Sequence, residues 1–404
     1  MANTQSKIVI AGAGIGGLSC ALALHARGFS NITLLEAASE FRRVGVGINI
    51  QPLAIAELAL VGLNDQLDRF GIRTRALDYC DSHGQRLGTE LRGIGAGHRF
   101  PQYSLHRGDL QHMLLEAVRD RLGDQSIIRG ARIDRFREEK DGVIVESRHA
   151  TSGAQRTLIS DLLIGAEGWR SNVRAQLHPE AMAVRHARVQ MWRGVTEINE
   201  FLDGETMIVA NDNQTRRLIA YPISAAHRSE GKALINWVCL VPDALLPASA
   251  LNSPVKERAS VEEVLDQYKH WRMEWLDLEK LLGGSANVYR DSMVDREPLT
   301  YWGTGRVTLL GDAAHLMYPV GAHGGSQAIL DGFTLADALT ESDDVTSALR
   351  CYEAVRQPAT SQVVHANRDR DAAERAMADR SEQEKAAALT NITQTYNAIV
   401  ERTA

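Results

Sequence analysis

From Lys7 the chain turns abruptly apolar. Ile8-Val9-Ile10-Ala11 reads as a short buried strand and runs straight into a glycine-rich turn. Apolar residues at helical spacing fill about 15–27, and a second apolar run, Ile32 to Glu36, ends on an acid. This opening predicts a strand–helix–strand unit. Within 103–122, Leu110, Met113, Leu114, Ala117, Val118 and Leu122 recur on one helical face, and the alternation around Val143 and Val145 predicts a hairpin.

Between about 189 and 240 the texture changes. Thr206–Ala210, Arg217–Pro222 and Leu234–Leu240 are short β-prone runs parted by polar turns, which predicts an antiparallel sheet. Arg306–Leu310 reads as a buried strand ending in Gly311-Asp312, and a helix is expected from near Gly324, beyond the turn that starts at Pro319. After about Ala338 the residues are rich in Ala, Glu, Arg and Gln, with no proline after Pro358, which predicts long helices. The chain therefore reads as α/β: a discontinuous Rossmann-type nucleotide-binding domain, an antiparallel-sheet domain inserted in it, and C-terminal helices. The expected division gives 1-75, 100-180 and 285-370 to the nucleotide-binding domain, 76-99 and 181-284 to the substrate-binding sheet, and 371-404 to a closing helical segment.

Length and composition narrow the class. At 404 residues, 44% hydrophobic and 24% charged, the chain has the profile of a folded enzyme of two or three compact units. Its formal net charge of -6 offers no general attraction to nucleic acid or anionic lipid. No apolar run approaches the roughly 20 residues that a membrane helix needs, and the N-terminal stretch has no basic leader, so a cytoplasmic location is expected. Cys20, Cys80, Cys239 and Cys351 are scattered, which argues against a metal site or a disulfide framework and predicts buried reduced thiols.

The chemistry-bearing signal is Gly12-Ala13-Gly14-Ile15-Gly16-Gly17. It lies after a strand and before a helix, with Glu36 closing the next strand. In that context small residues let the backbone approach a pyrophosphate, the helix N-terminus donates free N–H groups, and Glu36 can accept from a ribose hydroxyl. Such a turn does not distinguish NAD from FAD. The discriminating stretch is Gly311-Asp312-Ala313-Ala314-His315, with Pro319, Gly321, Ala322, Gly324, Gly325 and Asp331 after it. An acid at that strand end suits the ribityl chain of a flavin, and the next helix start can face the electron-rich edge of the reduced ring. No second strand–GxGxxG–helix unit is visible, since Gly93–Gly97 follows no strong strand.

Together these motifs resemble the group A flavoprotein monooxygenases, the family of para-hydroxybenzoate hydroxylase, over essentially the whole chain. Gly165 to Arg174 resembles a third family motif, with Glu167 where aspartate is usual. The resemblance implies an FAD-dependent hydroxylase that takes electrons from NADH or NADPH and passes one atom of O2 to an aromatic ring. It implies FAD contacts at Ala37, Arg43, Gly47 and Arg107 as well as at the glycine turns, Glu36 and Asp312. Gly45–Pro52, Met191–Glu197, Met207–Asp212 and Met293–Asp331 are similar to phenazine hydroxylases acting on an N-methylated phenazine carboxylate, which implies replacement of a carboxyl group by hydroxyl. His323 stands where those enzymes have asparagine.

A substrate pocket is expected between the sheet and the 318–325 turn, walled by Trp192, Met207, Tyr221, Trp237, Tyr318 and His323. An ordinary core role stays open for each. Arg193 reads as a structural ion-pair partner, and no side chain is singled out as catalytic. The residues alone leave open a flavin dehydrogenase or a non-catalytic flavin-binding protein, and both a monomer and a homodimer.

Overall fold

A computed structural model of the chain describes residues 4–43, 45–247, 251, 257–376 and 382–400. Five parallel strands form the nucleotide-binding sheet in the order Val307–Leu309, Leu162–Gly165, Ile8–Ala11, Ile32–Glu36, Ile127–Arg129. These runs are almost wholly apolar because a parallel sheet is covered on both faces. One cover is the helix Ile15–Ala26, which packs against the helix Gly324–Glu341. Their approach is tight: a Cβ at Gly332 would lie 2.7 Å from the Cα of Cys20.

The second sheet has eight strands in the order Glu257–Ala259, Val288–Asp295, Arg185–Ile198, Ala233–Pro242, Arg217–Pro222, Thr206–Asn211, Ala76–Asp81, Arg86–Leu91. All pairs are antiparallel except Thr206–Asn211 with Ala76–Asp81, where the chain returns to a strand laid down about 130 residues earlier. Val288–Asp295 pairs with Arg185–Ile198, so we propose to draw the boundary between the two parts after Asp295 rather than at 285.

Side chains alternate across this sheet with period two. One face buries Trp192, Ile208, Leu218, Ala220, Trp237 and Cys239 under the helices Val261–Tyr268 and Leu278–Gly283. The other face carries Met191, Arg193, Met207, Val209, Ile219, Tyr221, Val238 and Leu240 and looks toward the nucleotide-binding sheet across a cavity.

Two long helices close the structure. Val345–Arg375 runs with Pro358 inside it, and Glu382–Val400 lays Leu389 among Leu77, Tyr79, Met207 and Tyr221 of the second sheet. Of the expected closing segment 371-404, residues 371–375 end the first of these helices and 382–400 form the second, while 377–381 and 401–404 lie outside the described residues. Three of the cysteines are buried, but Cys351 is exposed on the 345–375 helix, against the expectation of four buried thiols. Among the described residues no helix is long and apolar enough to cross a membrane, and no cluster of His, Cys, Asp and Glu could hold a metal ion.

Candidate active site

The glycine turn has the geometry its spacing predicts. Gly12 has φ +102°, and a Cβ there would meet the carbonyl of Ala166 at 2.4 Å, so only glycine fits. Around Gly14 the position of a Cβ is open, with no protein atom within 4 Å. That gap adjoins the N-terminus of the helix Ile15–Ala26, which has no side-chain cap among the described residues. Glu36 braces the turn: its carboxylate accepts from Ala13 N–H at 2.9 Å and from Ala38 N–H at 2.8 Å. Gly14, Ile15, Gly16, Glu36 and Ala37 all line the cleft.

Opposite, Asp312 begins the short helix Asp312–His315 after Gly311, which has φ +61°. Its side chain opens into the cleft and has no hydrogen-bond partner among the described residues. Surrounding protein pushes its carboxyl up, an effect that His315 and Arg107 oppose. Beneath it lies a buried brace. Asp331 accepts from Gly311 N–H at 2.9 Å, from His315 Nε2 at 2.6 Å and from Arg356 Nε at 2.8 Å, and Arg356 also holds Gln327.

The third motif ties these parts together. Glu167 accepts from Ser171 Oγ at 2.6 Å and from the N–H groups of Asn172 and Val173 at 3.1 and 3.2 Å, capping the helix Asn172–Leu177. The longer glutamate thus reaches a helix N-terminus; burial raises its carboxyl and these hydrogen bonds oppose the rise. Arg174, fully buried, donates to the carbonyls of Ala313 and Ala314 at 2.9 and 3.0 Å, which ties the 165–174 loop to the 311–315 turn. Burial, with Arg296 adding to it, lowers the Arg174 guanidinium to about 10.

The turn after Asp312 is held just as firmly. Gly321 has φ +76° and Ala322 φ +57°, and a Cβ on Gly321 would strike the hydroxyl of Tyr396. Tyr396 donates to Asn367 Oδ1 at 2.6 Å, and Asn367 donates to the carbonyl of Tyr318 at 3.1 Å. Gly324 and Gly325, which line the cleft, start an 18-residue helix with no side-chain cap among the described residues.

One cavity of about 780 Å³ joins the glycine turn, Arg107, Asp312 and the 320–325 turn to the face of the second sheet. Of the expected wall residues, Met207, Tyr221 and Tyr318 line it. Trp192 and Trp237 do not. They are 1% and 0% exposed on the opposite face, where Trp237 Nε1 donates to Thr196 and the Arg290 guanidinium lies over Trp192. Strand alternation decides this: when Met191 and Arg193 face the cavity, Trp192 between them cannot. His323 is also turned away, packed 5.7 Å from the Tyr396 ring, and burial together with Arg92 and Arg370 pushes it down to about 3. Gly17 sits under the turn, against Gly12, and Arg43 reaches outward to Asp109 at 3.5 Å; neither lines the cavity, whereas Gly12, Gly47, Gly321 and Ala322 do.

Sequence reasoning also missed residues that do line it. Gln102 and Arg132 carried no motif, and Arg217 is brought to the chamber by ion pairs with Asp371 at 2.5 Å and Glu374 at 2.7 Å, more than 150 residues away. Strand alternation from Tyr221 back to Ile219 and Arg217 was the available signal for the last.

Against known proteins, residues 5–367 match the family described as the FAD binding domain. The chain belongs to this FAD-binding family. It is 52% identical to the phenazine 1,6-dicarboxylic acid hydroxylase of Lysobacter antibioticus, over 99% of this chain and 98% of that one. It is 30% identical to the aurachin C monooxygenase/isomerase of Stigmatella aurantiaca, over 87% and 85% of the two chains. Among solved structures, Klebsiella pneumoniae HpxO complexed with FAD and uric acid superposes with a TM-score of 0.79 and 26% identity, covering 98% of this chain and 96% of that one. As a member of the family the chain is an FAD-dependent monooxygenase. Its cleft suits that cofactor: an open position at Gly14, two uncapped helix starts and an unpartnered carboxylate at Asp312 are what a dinucleotide with a polyol chain requires.

Proposed function

We propose that this chain hydroxylates a carboxylated phenazine or a closely related nitrogen heteroaromatic acid, replacing a ring carboxyl by hydroxyl. The observation that carries the reading is one continuous cavity in which the cofactor cradle opens directly onto the cavity face of the second sheet. A flat ring system placed there lies among Met191, Met207, Val209, Ile219, Val238 and Leu240, which offer dispersion contacts. The 52% relative, named for a phenazine dicarboxylic acid, supports the same substrate class.

Gly14, Gly16 and the helix starting at Ile15 would hold the pyrophosphate, Glu36 the ribose and Asp312 the polyol chain. When bound, FAD supplies redox chemistry, accepting hydride from NADH or NADPH and activating O2. The protein would position the ring, and Leu389 of the 382–400 helix packs on Met207 and Tyr221 of the chamber wall. In the overall reaction an aromatic carboxylate, O2, NAD(P)H and two protons yield the phenol, CO2, water and NAD(P)+. The carbon–carboxyl bond breaks, its electron pair restores aromaticity, and the new carbon–oxygen bond takes its place. We place the enzyme in the cytoplasm, where reduced nicotinamide nucleotides are supplied.

The reading is tested by anaerobic reduction of FAD-loaded protein with NADH and with NADPH. The panel is phenazine-1-carboxylate, its N-methyl derivative and phenazine-1,6-dicarboxylate. At least one ligand is expected to speed flavin bleaching tenfold or more; no acceleration by any of them contradicts the substrate class.

A further inference from the structure

Five charged side chains line the sheet end of the cavity: Arg92, Arg193, Arg217, Arg370 and Glu374. Four are engaged with one another or with neighbours. Arg217 pairs with Asp371 and Glu374, Arg370 with Glu374 and the hydroxyl of Tyr79, and Arg92 with Glu90 at 2.9 Å. Arg193 is held less fully than Arg217 or Arg370: like Arg92 on Glu90, it touches its carboxylate, Asp291, through Nη2 alone, and its Nε and Nη1 have no partner among the described residues. Its side chain keeps 29% of its exposure although it sits on a central strand.

Tyr221 is the second unfilled donor. Its ring is buried in the chamber wall, and its hydroxyl has no hydrogen-bond partner among the described residues. Register puts both on one face: Arg193 is opposite Val238, Val238 opposite Ile219, and Tyr221 lies two residues beyond Ile219 on the same strand. The Arg193 charge acts on the Tyr221 phenol, lowering it against the rise that burial causes. Between them on this face lie Val238, Ile219 and Val195, with Asn236 opposite Tyr221 and its Oδ1 taken by Gly47 N–H at 2.7 Å.

We propose that Arg193 and Tyr221 together form an anion anchor that holds a carboxylate of the aromatic substrate against the sheet, with Asp291 fixing the guanidinium. A half-buried guanidinium with open N–H groups and a phenol O–H on the same face is chemically matched to a carboxylate and poorly matched to a neutral ring. The proposal rests on the aromatic-acid reading above and names the residues that would select the acid.

The test measures dissociation constants on FAD-loaded protein by the change in flavin absorbance. It uses acid and amide pairs: phenazine-1-carboxylate against phenazine-1-carboxamide, quinoline-4-carboxylate against its amide, and benzoate against benzamide. Wild-type protein is expected to prefer at least one acid by about 10- to 100-fold, the size of a charge-assisted hydrogen bond. Arg193→Met should remove that preference while amide affinity changes by less than about twofold. Arg193→Lys should restore part of it, and Tyr221→Phe should cost the acid alone a few-fold. An unchanged acid-to-amide ratio in Arg193→Met overturns the anchor, as does a wild-type protein with no preference for any acid. If phenazines fail to bind while another acid shows an Arg193-dependent preference, the phenazine reading falls and the anchor stands.

Discussion

Asp331 and His315 meet at 2.6 Å beneath the cleft, and neither lines it. Burial alone would raise the carboxyl of Asp331, yet His315 and Arg356 hold it below its ordinary value, so the Asp331 carboxylate stays ionised. Through Gly311 N–H it fixes the turn that aims Asp312 at the cofactor. Asp331→Asn leaves Arg356 buried without its counter-ion. Denaturant unfolding should show a loss of about 3–5 kcal/mol, and FAD titration at least tenfold weaker retention, although the altered residue is outside the cavity.

Asp312 offers the contrasting case. It makes no hydrogen bond among the described residues and opens into the cleft, so Asp312→Ala removes a ligand contact and no structural one. FAD affinity should fall by roughly 10- to 100-fold, the worth of one hydrogen bond to a charged group, while the melting temperature of the cofactor-free protein stays within about 2 °C of wild type.

The two faces of the second sheet predict opposite phenotypes. Trp237→Phe loses the hydrogen bond to Thr196 and leaves a void on the far face, so stability should drop by about 1–3 kcal/mol while KM for the aromatic substrate changes less than twofold. Met207→Ala, on the cavity face, should raise KM severalfold in steady-state assays. A large KM effect from Trp237→Phe would mean that the assigned faces are reversed.

His323 is held near 3 by burial, against an ordinary value of 6.5. Between those values the unfolded chain binds a proton that the folded chain does not, so stability is complete above 6.5 and falls as pH drops through that window. The cost of moving from pH 7 to pH 5 is about 2 kcal/mol from this group alone. His323→Asn should remove that share of the acid sensitivity, read from urea midpoints at the two pH values.

Much of the fold was legible because its signals are local and periodic. The run Ile8–Ala11, the glycine turn and Glu36 lie within thirty residues, and strand, helix and acid occur where the pattern puts them. The chamber was harder to read. Alternation states that Trp192 and Arg193 face opposite ways but not which way is inward, and large aromatics were natural candidates for a wall. That outcome depends on the helices at 261–268 and 278–283 covering one face. His323 was misplaced because the positive φ angles of Gly321 and Ala322 re-aim the chain immediately before it. The ion pairs of Arg217 with Asp371 and Glu374 join segments with no sequence signal linking them.

The most direct measurement of the whole account is a turnover of phenazine-1,6-dicarboxylate, carboxyl-labelled with ¹³C, under ¹⁸O2 with NADH or NADPH. The account predicts a hydroxylated phenazine carrying one ¹⁸O atom per ring position altered, with one labelled CO2 released for each. Oxidation of the nicotinamide nucleotide with an unlabelled product, or with the phenazine returned unchanged, would contradict it.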